Sequence, residues 1–233
     1  MAEQYAVLWD LDGTLVDSEP LHHEAIVELL SQQGIKAPSG FQQAVTGLSA
    51  FDTWRHCRDQ LGFSGSFEGW VEAKYRHYLR EAPNLIGFEA STSAYRHYQA
   101  LGWAQAIVSN SDRLIVQANL AAAELQSPEQ ITVTRNDVRH GKPAPEGYLR
   151  AAWLLGVDPS RCVVIEDSIA GARAGIEAGM RVIGLIHDPS QPPAFPKEIS
   201  KTVAFETLDE RGLVAEIETL FEIHENRERE QAT

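Results

Sequence analysis

Short apolar runs that alternate with longer segments of helical period constrain the fold of this 233-residue chain most strongly. Such alternation is typical of parallel βαβ units, because each buried strand needs a crossover helix before the next parallel strand. The clearest predicted helix covers 145–156, where Pro145 suits the first turn and Gly156 suits the end. The predicted strands cover residues 5–11, 104–108, 131–134, 162–166, 181–186 and, more weakly, 203–205.

Residues 17–84 have a different pattern, which is helical throughout. An apolar stripe with helical spacing runs from Leu21 to Leu30 and ends before Gly34, and further helical patterns cover 41–45, 51–61 and 67–79. We therefore predict an α/β core formed by residues 1–16 and 85–233, with a helical domain of residues 17–84 inserted after the first strand.

Charge and composition exclude several classes of partner. The chain carries 33 acidic and 20 basic residues, a formal charge of −13, and no basic cluster suited to nucleic acid. The first residues lack a signal-peptide pattern and no run approaches about 18 apolar residues, so we expect a cytoplasmic protein without a membrane partner. Cys57 and Cys162 predict buried thiols rather than a disulfide framework. The oligomeric state is not predicted.

Polar side chains follow the predicted strands at the points where the strands end. Because ligands bind outside the carboxyl ends of strands in an open parallel sheet, these side chains are expected to share one site. They are Asp10 and Asp12 after the first strand, Ser109 and Asn110 after the second, Lys142 before the 145–156 helix, and Glu166 and Asp167 after the fourth strand.

The charges of these residues predict a phosphate site with a metal ion. Several carboxylates in one crevice need a cation, and oxygen ligands without a His or Cys cluster favour Mg²⁺. The Ser109 hydroxyl and the backbone N–H groups of Asn110 and Ser111, which we expect to open a helix, would bind an anion beside Lys142. A carboxylate at the end of the first strand could then attack phosphorus.

Four segments of the chain resemble, in order, the four motifs of the haloacid dehalogenase superfamily: DLDGTLVDS, SNS, GKPAPEGY and VVIEDSIAGARAGIEAGM. The helical insertion after the first motif is similar to the cap of the phosphatase and β-phosphoglucomutase-like branch. The resemblance covers almost the whole chain apart from its tail. It implies a Rossmann-like parallel-sheet core with an inserted α-helical cap.

The resemblance also implies roles for individual residues. Asp10 corresponds to the nucleophile that forms an aspartyl-phosphate, and Asp12 to the acid–base residue. Mg²⁺ would be held by the Asp10 carboxylate, the Asp12 carbonyl oxygen and Asp167, with Glu166 as a further ligand or a nearby acid. Ser109 and Lys142 match the phosphate-binding positions.

Two cap residues match positions in the cap of β-phosphoglucomutase-like relatives and are candidates for contact with substrate. His22 lies near the first hinge of the cap, although a packing role is the alternative interpretation. Lys74 matches a cap lysine, although it could equally belong to a charged helix face.

Departures from the family patterns disfavour some of the reactions that the superfamily catalyses. The presence of Asp12 disfavours dehalogenation, and the DLDGT motif does not fit phosphonoacetaldehyde hydrolases. Ala50 and Asp112 replace basic residues with which mutases hold a second phosphate, although Arg113 or Arg76 could compensate.

We therefore predict a Mg²⁺-dependent phosphatase for a small phosphorylated metabolite, with a sugar or polyol phosphate first and phosphoglycolate second. A β-phosphoglucomutase-like isomerase is the alternative. A non-catalytic phosphate-binding protein is disfavoured, since none of the catalytic acids is missing.

Overall fold

The computed structural model describes residues 5–46, 48–209 and 211–231, with side chains described as far as residue 222. The chain divides into two compact units. One, the sheet unit, contains the residues up to Asp17 and those from Ile86 onward. The other, the helical unit, is Ser18–Leu85.

The described residues of the helical unit form four α-helices: α1 (Glu19–Gln32), α2 (Phe41–Val45), α3 (Ala50–Leu61) and α4 (Phe67–Glu81). Ser49 and Ser66 cap α3 and α4, because their hydroxyl oxygens accept hydrogen bonds from Asp52 N and Gly69 N. The unit has its own apolar core, in which Cys57 is fully buried. Other members of this core are Ile26, Leu29, Leu30, Phe41, Val45, Trp54, Phe63 and Trp70.

Six parallel strands form the sheet, in the order β3-β2-β1-β4-β5-β6. The strands are β1 (Ala6–Trp9), β2 (Ala104–Val108), β3 (Ile131–Val133), β4 (Cys162–Glu166), β5 (Arg181–Ile186) and β6 (Lys201–Ala204). The order of connection reverses between β1 and β4, and the loops after these two strands therefore diverge and leave a crevice at the carboxyl edge. The predicted parallel α/β fold is confirmed.

The helices of the sheet unit are α5 (Glu89–Ala100), α6 (Arg113–Ala122), α7 (Glu146–Leu155), α8 (Ile169–Glu177) and α9 (Gly212–Gln231). Helix α7 follows Pro145 and ends at Leu155, and the next residue, Gly156, caps it with a φ of 69° that suits glycine. Tyr148, Ala151 and Ala152 form its buried face against the sheet. None of the helices within the described residues combines the length and apolar character needed to cross a membrane.

Several predicted boundaries differ from the structure. Strand β1 is shorter than residues 5–11, and β6 begins before the predicted position 203. The expectation that Asn110 and Ser111 open a helix is wrong, because α6 begins at Arg113 after the cap residue Asp112. A run of four polar residues, each able to cap a helix, left the start of α6 ambiguous in the sequence.

Candidate active site

The turn after β1 brings Asp10 and Asp167 together. Asp10 continues the strand pairing, since its N–H donates to the carbonyl oxygen of Ile165 at 3.0 Å. Gly13 has φ of +81°, and a Cβ atom there would lie 2.3 Å from Asp167 Oδ2. Thr14 Oγ1 donates to Asp167 Oδ1 at 3.2 Å. Glycine is therefore required at position 13 both for the turn and for the close approach of a carboxylate.

A buried lysine links two of the predicted acids. Lys142 Nζ lies 2.5 Å from Asp10 Oδ1 and 2.6 Å from Glu166 Oε1, and it donates to the carbonyl oxygen of Val108 at 2.8 Å. The Lys142 side chain is only 5% exposed. Burial alone would lower the pKa of Lys142, but the charges of Asp10 and Glu166 outweigh burial and raise it. Lys142 is therefore a fixed positive charge at this site.

Glu166 is the anchor of this network. Its Oε1 accepts from Lys142 and from the Tyr148 hydroxyl at 3.0 Å, and its Oε2 accepts from Ser168 N at 3.0 Å and Ser168 Oγ at 2.9 Å. A carboxylate offers about four lone-pair sites, so these four donors occupy all of its acceptor positions. Ser168 also caps α8, because its hydroxyl oxygen accepts from Gly171 N. The contact of Tyr148 with Glu166 was not anticipated from the sequence.

Asp12 has neutral hydrogen-bond donors instead of the lysine. Ser109 Oγ and Ser111 Oγ donate to Asp12 Oδ2 at 3.0 and 2.8 Å, and Asn119 Nδ2 donates to Asp12 Oδ1 at 2.8 Å. The N–H of Ser111 donates to Ser109 Oγ at 2.9 Å. The two acids of the first loop therefore lie in different environments.

Asn110 holds the loop that carries Lys142. Its side chain donates to the carbonyl oxygen of Lys142 at 3.1 Å and accepts from the Lys142 N–H at 2.8 Å. Gly141 leaves room for this contact, because a Cβ atom there would lie 2.5 Å from Asn110 Oδ1.

Three of the predicted metal ligands form a cluster. Oxygen atoms of Asp10, Glu166 and Asp167 all lie within 4.8 Å of one another. Burial, followed by the charge of Glu166, raises the pKa of Asp10 well above its ordinary value, although Lys142 opposes this effect. Four carboxylates counting Asp12 accompany one buried lysine, and this all-oxygen, negatively charged set fits a hard divalent cation.

The two predicted cap residues lie in the helical unit. His22 packs against Tyr78, with ring centroids 4.5 Å apart, and Lys74 Nζ lies 5.7 Å from the centre of the Trp70 ring. Both residues line a pocket of that unit, together with His23 and Thr53. Their contact with substrate stays a prediction.

Comparison with known proteins identifies the class. The family model for haloacid dehalogenase-like hydrolases matches residues 6–179, and the chain belongs to this family. The crystal structure of a proposed β-phosphoglucomutase from Thermotoga maritima has the same fold, with a TM-score of 0.76 and 23% identity over 92% of this chain and 99% of that chain.

Two relatives from Escherichia coli (strain K12) are phosphatases. Hexitol phosphatase A is 32% identical over 190 residues, which cover 80% of this chain and 84% of the relative. Fructose-1-phosphate phosphatase YqaB is 28% identical over 190 residues, which cover 78% of this chain and 97% of the relative. Because the chain belongs to this hydrolase family and is similar to these phosphatases, it is assigned to the phosphoric monoester hydrolase class.

Proposed function

We propose that the protein is a Mg²⁺-dependent phosphatase that hydrolyses a small sugar or polyol phosphate through an aspartyl-phosphate on Asp10. The observation that carries this proposal is the different surroundings of the two acids in the first loop. Asp10 is buried and paired with Lys142, whereas Asp12 accepts hydrogen bonds from neutral donors. Two carboxylates in contrasting environments suit a nucleophile and an acid–base residue.

In the first step, a carboxylate oxygen of Asp10 attacks phosphorus and the bond between phosphorus and the ester oxygen breaks. Asp12 gives its proton to that oxygen, and the alcohol leaves. In the second step, Asp12 takes a proton from water, whose oxygen attacks the phosphorus of the aspartyl-phosphate. Inorganic phosphate leaves, and the Asp10 carboxylate and the protonated Asp12 are restored.

The metal and the phosphoryl group would use the remaining groups of the crevice. Asp10, Asp167 and the Asp12 carbonyl oxygen would hold Mg²⁺, which neutralises phosphoryl charge when bound. Glu166 suits a supporting role better than direct ligation, because both of its oxygens already accept hydrogen bonds. Ser109 and the Asn110 N–H would bind phosphoryl oxygens. Lys142, whose three N–H groups already donate to Asp10, Glu166 and the Val108 carbonyl oxygen, would neutralise phosphoryl charge.

Hydrolysis is favoured over the mutase alternative by the charges available for a second phosphate. Ala50 has no charge, and both arginines that could compensate already have acidic partners within their own units. Arg76 pairs with Glu72 at 2.6 Å, and Arg113 pairs with Asp137 at 2.5 Å.

The substrate class is supported by the relatives, which include a hexitol phosphatase and a fructose-1-phosphate phosphatase. Phosphoglycolate is the second candidate substrate. His22 and Lys74 are the residues of the helical unit that we propose for contact with the substrate.

The test is phosphate release from a panel of sugar, polyol and carboxylic-acid phosphates, with Mg²⁺ and with a chelator. We expect Mg²⁺-dependent turnover that Asp10→Asn abolishes, since an amide is a poor nucleophile. Asp158→Asn is the matched control, because Asp158 precedes β4 at the opposite edge of the sheet and asparagine can replace it as a cap. Full activity of Asp10→Asn, with deamidation excluded, would refute the mechanism.

The mutase alternative has its own assay. β-Glucose 1-phosphate is incubated with and without the 1,6-bisphosphate, and glucose 6-phosphate and inorganic phosphate are both measured. Isomerisation that depends on the bisphosphate and exceeds phosphate release would overturn the assignment as a phosphatase.

A further inference from the structure

Asn119 is a polar residue on a helix face that is otherwise apolar. It is fully buried in α6, where Ile115, Val116 and Leu120 are also buried. Asparagine is a weaker helix former than leucine, and a buried amide is unfavourable unless it is hydrogen bonded. Neither helix formation nor apolar packing therefore explains an asparagine at this position. Its hydrogen bond to Asp12 Oδ1 at 2.8 Å does.

The contact of Asn119 differs from those of the two serines. Ser109 and Ser111 both donate to Oδ2 of Asp12, from the loop between β2 and α6. Hydrogen bonds to one oxygen restrict rotation of the carboxylate less than hydrogen bonds to both, because the terminal torsion of aspartate has a broad energy minimum. A donor at the second oxygen, held on a helix, fixes that plane.

We propose that Asn119 is a positioning residue that sets the orientation of the Asp12 carboxylate for proton transfer to the leaving oxygen. This inference rests on the proposed acid–base role of Asp12. General acid catalysis contributes about 10²–10⁴-fold, and a displaced catalytic group can lose roughly 10²-fold. Loss of the Asn119 donor should therefore lower the rate by about 10–100-fold for an ester whose leaving oxygen must be protonated.

The experiment compares two esters that differ in whether the leaving oxygen must be protonated. Sorbitol 6-phosphate releases an alkoxide unless an acid protonates it, whereas 4-nitrophenyl phosphate releases a weakly basic phenolate. The quantity measured is kcat/KM, which covers steps only up to departure of the leaving group in a mechanism with a covalent intermediate.

We expect Asn119→Leu, which has a similar volume but no donor, to lower kcat/KM for sorbitol 6-phosphate by about 10–100-fold and for the aryl ester by less than about threefold. Asp12→Ala should show the same selectivity with a larger loss. Ile115→Val is the matched control, because it alters a buried residue of the same helix and should leave the ratio of the two esters unchanged. If Asn119→Leu does not fold, Asn119→Ser replaces it, with melting curves recorded for each variant.

Equal losses for the two esters, no loss, or a gain with sorbitol 6-phosphate would overturn the role of Asn119. A double variant, Asp12→Ala with Asn119→Leu, should be no more selective than Asp12→Ala alone. Failure of the proposed acid–base role of Asp12 gives a different result from failure of the Asn119 role. In that case Asp12→Ala itself would lower kcat/KM equally for both esters, or for neither.

Discussion

Gly171→Ala should destabilise the protein, although the substitution replaces glycine with a better helix former. Gly171 lies in α8, and a Cβ atom there would be 1.5 Å from Glu166 Oε1 and 1.9 Å from Glu166 Cδ. Side-chain carbons essentially never come within 3.0 Å of another heavy atom, so the Glu166 carboxylate must move by roughly 1.5 Å. Such a movement breaks hydrogen bonds that are now 2.6–3.0 Å long.

The expected magnitude combines two opposing effects. Disruption of a buried ion pair costs about 3–5 kcal/mol, because the remaining partner, here Lys142, stays buried and keeps only the Asp10 carboxylate of its two. Replacement of glycine by alanine within a helix stabilises by about 0.5–1 kcal/mol. The net loss in the free energy of unfolding should therefore be about 2–4 kcal/mol.

Urea unfolding followed by circular dichroism measures this difference. Gly69→Ala is the control, because Gly69 also lies in a helix but a Cβ atom there meets only Ser66 Oγ at 3.4 Å. The stability of this variant should equal that of the wild-type protein or be slightly higher. In a Glu166→Ala background, Gly171→Ala should no longer be destabilising, since the clash is absent. Wild-type stability and turnover of Gly171→Ala would refute the steric reasoning.

Further predictions concern the thiols, the buried lysine and the phosphoryl site. Burial raises the pKa of Cys57 to about 11 and of Cys162 to about 12, so both thiols should react with iodoacetamide at pH 8 at least about tenfold more slowly in the folded protein than in urea. Because the unfolded thiols ionise first, their contribution to stability should fall as pH rises from about 8.5 toward those values, which urea titrations against pH would detect. Lys142→Met should lower the free energy of unfolding by about 3–5 kcal/mol, measured with urea, because two buried carboxylates lose their cation. Beryllium fluoride with Mg²⁺ should raise the melting temperature of the wild-type protein and not of Asp10→Asn, because it mimics a phosphoryl group bound only to the native state.

The sheet was predictable because its central strands β1 and β4 are apolar except for Glu166 at the end of β4. Strand β4 has the predicted bounds, and β1 and β4 are buried throughout, as the pattern of a two-sided parallel sheet requires. The edge strand β6 was located less accurately, because only one of its four residues is buried. Burial locates a strand but does not set its end, since β1 stops at Trp9 although Leu11 is also buried.

The contacts of Asn119 and Gly171 in the site could not be predicted from the sequence, for a different reason. Asn119 contacts Asp12 across 107 positions of the chain, and no spacing rule links them. Gly171 could be interpreted only as close packing of a helix, because its need for space comes from the Glu166 carboxylate. Acids at strand ends follow from topology, but the residues that orient them depend on three-dimensional contacts.

The central position of β1 has a consequence for folding during synthesis. Ala6 pairs with Ala104 on one side and with Cys162 on the other, so β1 leaves the ribosome long before either neighbour exists. At about 5–20 residues per second, it waits roughly ten to thirty seconds for its second partner. The helical unit, which has its own apolar core, can form during that interval. Asp10 therefore acquires its native surroundings only after its hydrogen-bond partners Lys142 and Ile165 have been synthesised.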